Sequence, residues 1–206
     1  MKQVTVFVLA LLALLSACPA FADAPPTQWE SQMLDQAATC APVGPKTHKM
    51  LLKMLRAEEE AGIPDHVRGI TVAVACIEAK FNPKAEGDHK FSKDGKTPMA
   101  VGLFQMWPWW KSHVKDRSDP DKATKAWLAV LKDEADSAKR KCKTKDDHKA
   151  WKAAVAYIQF GPGATKRRCG QTTRHYALMQ TWRGVIEDAG NHNDHEGDAA
   201  LEVSVK

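Results

Sequence analysis

No part of this 206-residue chain is apolar for long enough to cross a bilayer comfortably. The cysteines include no Cys-x-x-Cys pair, which argues against structural zinc. No internal repeat or low-complexity linker divides the chain, so its length suits one domain with a real core. Strand-like runs are also missing, apart from a polar stretch at 86–97 that fits a small irregular or β insertion. Together these absences predict a mainly α, single-domain protein.

What is present begins with a targeting segment, expected over 1–22 and left out of the fold. Lys2 supplies a positive start and 4–15 a short apolar run. Ala20-Phe21-Ala22 before Asp23 is a small-x-small cleavage site for release into the periplasm. Leu15-Ser16-Ala17-Cys18 is similar to a bacterial lipoprotein box, which would tether the protein to the outer membrane through a lipid on Cys18. Pro19 directly after that cysteine is unusual for a lipoprotein and tilts the expectation towards the released form. In either case Cys40, Cys76, Cys142 and Cys169 remain in the folded part. An even number in an exported chain suggests two disulfides, with three connectivities open. Cys142–Cys169 would close the shorter loop, which leaves Cys40–Cys76; the competing use of Cys76 is as a small buried thiol.

The folded domain is expected over 23–190. Thr27-Gln28-Trp29-Glu30 has the form of a capping box that opens a helix towards Cys40. After a break at 41–45, a Leu/Met-rich amphipathic helix is expected over 47–61, stopped at Gly62. Ser118-Asp119-Pro120 starts a long helix with Ala123, Trp127, Val130, Leu131 and Ala138 on its inner side. Asp147 is the expected cap of a helix over 148–160, stopped by Gly161-Pro162-Gly163. A last helix is expected over 172–189 with Tyr176, Trp182, Val185 and Ile186 inward. Trp127, Trp151 and Trp182 thus belong to the core. Residues 191–206 are polar, acidic and aperiodic, and a frayed tail is expected there. Within it His192-Asn193-Asp194-His195-Glu196 is only a weak metal-binding pattern, and no metal is assigned.

The stretch 64–108 organises the rest. Val67, Ile70, Val74, Ile77 and Phe81 recur every three or four positions, marking one buried helical face between Pro64 and Pro83. A β-strand reading of 70–77, rich in Thr, Val and Ile, competes. Glu78 follows eight uncharged residues. Val74 and Ala75 lie one turn back on its side, so its carboxyl is expected to be partly desolvated, with the neutral form favoured and the pKa raised. A general acid needs such a group. The bland alternative is a Glu at a helix end with its head in solvent. Further on, Trp107-Pro108-Trp109-Trp110 offers indole faces that stack well on sugar rings, Trp109 among them; core packing is expected to claim at least one of the three.

Glu78-Ala79-Lys80-Phe81-Asn82-Pro83-Lys84-Ala85 resembles the Glu-Ser-x-Phe-x-Pro-x-Ala block of the soluble-type lytic transglycosylases, relatives of goose-type lysozyme. Ala100-Val101-Gly102-Leu103-Phe104-Gln105-Met106-Trp107-Pro108 resembles that family's Ala-x-Gly-Leu-Met-Gln-x-x-Pro block. Ala154-Val155-Ala156-Tyr157-Ile158-Gln159-Phe160-Gly161-Pro162-Gly163 resembles its Ala-x-Ala-x-Tyr-Asn-Ala-Gly-Pro-Gly, and the order of the three is right. The resemblance implies a lysozyme-like helical domain with Glu78 as the catalytic acid. It also implies a substrate cleft that includes Gly102, Leu103, Phe104 and Gln105, joined by Tyr157 and Gln159 from the third block. Gln105 would exchange hydrogen bonds with an acetamido group, and Gly102 would let a sugar or the acid helix come close. Two departures matter. Ala79 stands where the family has Ser, and a gapless register puts Ile158 and Gln159 where it has Tyr and Asn. Tyr157, one place early, would point about 100° away on a regular helix. Either the helix is locally re-registered or the chain lacks that hydroxyl.

The activity implied is cleavage of the β-1,4 bond between N-acetylmuramic acid and N-acetylglucosamine in peptidoglycan. Glu78 would protonate the glycosidic oxygen and then, as base, take the proton of the muramoyl C6 hydroxyl, closing a 1,6-anhydro ring without water. The first two motif blocks supply one acid, which suits this route better than two-carboxylate hydrolysis. No metal or organic cofactor is called for. Two alternatives stand: a hydrolytic muramidase of goose-lysozyme type, with Glu86, Asp88 or Asp94 placing a water, and a non-catalytic wall-binding protein. The formal net charge is +5, and without residues 1–22 the chain is still basic by about four charges. Its clusters, Lys139-Arg140-Lys141-Lys143-Lys145 and Lys166-Arg167-Arg168, resemble nucleic-acid footprints in composition. In an exported protein an anionic cell-wall polymer, or plain solvation, is the expected partner, and not nucleic acid. A membrane is expected as partner only through a lipid on Cys18.

Overall fold

A computed structural model of the protein describes residues 24–160, 169 and 171–199. The expected targeting segment with Cys18, the Gly161-Pro162-Gly163 stop, the Lys166-Arg167-Arg168 cluster and the last residues of the tail lie outside the described residues.

Local capping chemistry sets most helix starts. Helix α1 (Gln28–Ala38) opens with the expected box: Thr27 Oγ1 accepts the Glu30 N–H at 3.2 Å, and Glu30 Oε2 accepts the Thr27 N–H at 2.6 Å. The other Glu30 oxygen takes Arg56 Nε at 3.1 Å, which ties α1 to α2 (Pro45–Glu60). Helix α2 starts two residues before the expected boundary, because Pro45 itself occupies the first helical position after Gly44. In α3 (Ile70–Ala79) the helical reading of 70–77 stands and the strand reading falls. That helix does not reach back to Pro64: a 3-10 turn, Asp65–Val67, intervenes, and Gly69 at φ 93° resets the chain direction. That positive φ is what favours glycine there, since an added side chain would meet only the flexible end of Met33, 2.7 Å away.

The 86–97 insertion is a minimal antiparallel pair, β1 (Glu86–Gly87) with β2 (Ala100–Val101), in register Glu86↔Val101. Helix α4 (Pro120–Lys141) is capped by Asp119, which accepts the Lys122 N–H at 3.1 Å. For α5 (Asp147–Phe160) the capping acceptor is Asp146, taking the Lys149 N–H at 3.2 Å, while the expected cap Asp147 pairs with Lys139 at 2.7 Å. Helix α6 (Arg174–Ala199) continues well past 189, into residues expected to fray.

Helix α3 is the core: Ile70 to Cys76 are buried without exception, because α1, α2 and α6 all pack against it. The α4–α5 pair forms the second wall and meets α2. Trp127, Trp151 and Trp182 are buried as expected, but Val185 is 47% exposed, since the inward stripe of α6 runs through His175, Met179, Trp182 and Ile186. Both expected disulfides are present, Cys40–Cys76 and Cys142–Cys169. The first joins α3 to the end of α1 across a sequence separation of 36 residues. Replacing Cys40 and Cys76 together with Ser is expected to lower the unfolding free energy by about 3 kcal/mol, read from urea titrations at fixed pH.

Candidate active site

Glu78 sits in the last turn of α3, where the helix stops through two successive left-handed residues, Lys80 at φ 49° and Phe81 at φ 63°. Such conformations are costly for non-glycine residues and persist only when the surroundings enforce them. Here the enforcing contacts are the Lys80 N–H to the Cys76 carbonyl at 3.1 Å, the Phe81 N–H to that of Ala75 at 3.2 Å, and burial of Phe81. The turn sends the chain straight from the acid into the β hairpin, so Glu78 and the hairpin share one cavity of about 430 Å³.

Val74, Phe104, Trp127 and Val155 supply apolar wall. Phe104 stacks on Trp127 with ring centres 5.3 Å apart, which fixes the second motif block against α4. Asp88, Gln105, Trp107, Trp109 and Trp110 come from the hairpin and the short 3-10 helix Pro108–Ser112. Of the three tryptophans Trp110 is buried, as expected for one of them, and Trp109 is 49% exposed while stacked on it at 4.5 Å. Asp88 Oδ2 accepts the Trp107 indole N–H at 3.0 Å.

The remaining candidates divide. Gln105 lies on the cavity wall, but its Nε2 already donates to the Gly102 carbonyl at 3.0 Å and the Ala85 carbonyl at 3.3 Å. Both partners are acceptors, so the amide nitrogen is committed and Oε1 is what this side chain offers a ligand. Gly102 does not open space for a sugar or for α3: at φ 81°, a side chain there would run into the backbone carbonyl of Arg117. Leu103 is buried and forms no part of the cavity wall. Tyr157 is also off the wall. Its ring lies 5.0 Å from Lys141 Nζ on α4, because the helix keeps its regular register and Ile158 and Gln159 take the cavity side. This chain therefore brings no tyrosine hydroxyl from α5 to Glu78. Gln159 lines the cavity, and its buried Oε1 has no hydrogen-bond partner among the described residues. Among the insertion acids, only Asp88 reaches the cavity; Asp94 is held by Ser92, Lys96 and Thr97 on the exposed loop.

Two residues that the sequence did not single out touch the acid. His175 Nε2 lies 2.6 Å from Glu78 Oε1, and Arg174 Nη2 lies 3.0 Å from the same oxygen. Burial pushes the Glu78 carboxyl up, as expected, but the His175 hydrogen bond and charge and the Arg174 guanidinium outweigh it and hold the group below its ordinary value. The expectation of a net raised pKa is thus corrected, since a neighbouring helix contributes two donors that α3 alone does not reveal. A signal was available: His175 stands at the head of the α6 stripe, spaced i, i+4 and i+7 with Met179 and Trp182.

A helical domain with one half-buried carboxyl at the end of its central helix, facing an aromatic-walled groove, is the build of a glycan-cleaving enzyme of the lysozyme-like class. Residues 57–179 match the family model described as Transglycosylase SLT domain, and the chain belongs to that family. These are lytic transglycosylases, glycan-cleaving enzymes whose polymer is peptidoglycan. No curated protein and no solved structure matches the chain in the corresponding comparisons. Among the described residues no helix is long and apolar enough to cross a membrane, and the two disulfides fit an oxidising compartment.

Proposed function

We propose that the protein is an exported lytic transglycosylase that cleaves the N-acetylmuramic acid–β-1,4–N-acetylglucosamine bond and leaves a 1,6-anhydro end. The observation that carries this reading is the seat of Glu78, whose carboxyl opens on a cavity walled by Gln105, Gln159 and Trp109. In its protonated form, which His175 and Arg174 confine to the acid side of the ordinary carboxyl range, Glu78 protonates the glycosidic oxygen, then takes the proton of the C6 hydroxyl as that oxygen bonds to C1. Trp109 offers an exposed indole face for a sugar ring. Gln105 accepts from acetamido N–H groups or sugar hydroxyls through Oε1, its nitrogen being committed, and Gln159 adds a second polar side chain to the same wall. Support for export is the composition of segment 1–22 together with four cysteines paired as disulfides.

A second reading has one observation in its favour: Asp88 lines the same cavity as Glu78 and is a carboxylate able to orient water. Its Oδ2 is occupied by Trp107, which leaves Oδ1 for that task. Mass spectrometry of digested sacculi separates the two. Anhydro-muramoyl ends are the expected product, and reducing ends alone would make the protein a hydrolytic muramidase instead.

A further inference from the structure

We propose that His175 is a positioning residue of this reaction: together with Arg174 it holds Glu78 Oε1, so that Oε2 alone faces the groove and serves both proton transfers. The inference rests on the reading of Glu78 as acid and base. Its ground is geometric. Two donors from consecutive residues of α6 converge on one oxygen, at 2.6 and 3.0 Å. A protonated carboxyl with its proton on Oε2 still accepts two hydrogen bonds on Oε1, so the arrangement suits the acid form as well as the carboxylate.

The two donors differ in strength. The Arg174 side chain is 62% exposed, so water screens it, whereas that of His175 is 3% exposed and keeps its effect in a low dielectric. In the first step the proton leaves Oε2 for the glycosidic oxygen, and the electron pair of the breaking C1–O bond stays with that oxygen. Negative charge then spreads over the Glu78 carboxylate beside His175 and Arg174, which stabilise it and make the acid stronger. In the second step Oε2 accepts the C6 hydroxyl proton while the C6 oxygen bonds to C1. With Oε1 clamped, the side chain need not turn between the steps.

Among the described residues, the ionisable groups on the cavity wall besides Glu78 are His175 and Asp88 from the hairpin, and α5 contributes uncharged groups only. Among those residues the hydrogen-bonding partners of Glu78 come from α6. Removing either donor leaves Glu78 protonated to higher pH, so the fall in rate on the alkaline side moves upward. The same change weakens the acid and loosens its alignment, so the rate on the acid-side plateau drops.

The test is initial rates on soluble, peptide-free glycan strands across the pH range, for the parent, His175→Gln and Arg174→Gln. For His175→Gln the expected result is kcat lower by about tenfold on the acid-side plateau, KM within about twofold, and the alkaline fall displaced to higher pH. Arg174→Gln should show the same displacement with a smaller loss. If His175→Gln lacks the near-ultraviolet dichroism of the parent, Arg174→Gln decides, because that side chain is largely exposed. An alkaline fall unmoved in the folded variants overturns the proposal. Glu78→Gln assayed alongside separates the two levels: full activity there overturns the acid assignment itself, whereas an inactive Glu78→Gln with unmoved profiles overturns only the role of α6.

Discussion

Glu78→Gln is expected to cut the release of soluble muropeptides from purified sacculi by on the order of a thousandfold, with the melting temperature little changed. The substitution preserves volume, and a Gln carbonyl oxygen still accepts from His175 and Arg174, so the clamp on that position survives. What disappears is the transferable proton. Among the described residues the other acid on the cavity wall is Asp88, and one of its oxygens is committed to Trp107. Release by the variant at the parental rate would show that another residue supplies the proton, whereas no release by either protein would favour a wall-binding protein that kept the cleft.

The largest stability effect is expected from a carboxylate far from the groove. Glu58 is fully buried on α2, where Oε2 accepts the Gly69 N–H at 2.5 Å and Oε1 accepts the Thr71 N–H at 2.7 Å and the Thr71 hydroxyl at 2.5 Å. It thereby caps α3 from another helix, since Gly69 has no side chain to do so. Glu58→Ala leaves two amides and a hydroxyl without partners in the core and opens a cavity. The expected cost is about 4 kcal/mol at pH 7, measured by urea unfolding, with faster thermal loss of activity because α3 carries Glu78.

The same residue gives stability a pH dependence. Burial raises the Glu58 carboxyl to about 7 from an ordinary 4.5, against the pull of Thr71 and Gly69. The folded state therefore holds this proton more tightly than the unfolded chain does. Its contribution is complete below about pH 4.5 and fades as pH rises through 7, a loss of roughly 3 kcal/mol. Glu58→Gln cannot ionise, so its unfolding free energy should be flatter than the parent's over that window. An unchanged slope would mean that Glu58 titrates alike in both states.

How much of this was legible depends on the range of each interaction. The capping box at Thr27, the Asp119-Pro120 start of α4 and the periodicity of α3 are short-range signals, and each produced the expected element. Errors arose where two nearby groups compete for one role, as Asp146 and Asp147 do at the start of α5. They arose also where glycine hid a boundary, as Gly69 does before α3. At the site, Glu78, Phe104, Gln105 and Gln159 of the motif blocks line the cavity, as does Trp109 of the tryptophan run, and Tyr157, Gly102 and Leu103 do not. The Tyr157 outcome follows from 100° of helix rotation per residue, already implicit in the gapless register.

By itself, then, the sequence determined a helical domain, an even set of four cysteines suited to two disulfides, and an acid at the end of an apolar helix next to an aromatic run. Those depend on spacing along a chain, which short-range physics reads directly. Only the tertiary structure decided the electrostatic state of that acid and the means by which its helix is held. Arg174 and His175 lie 96 and 97 residues from Glu78 in sequence, and Glu58 caps α3 from a separate helix. Charge interactions act through space, so folding brings together groups whose separation along the chain carries no trace of the contact.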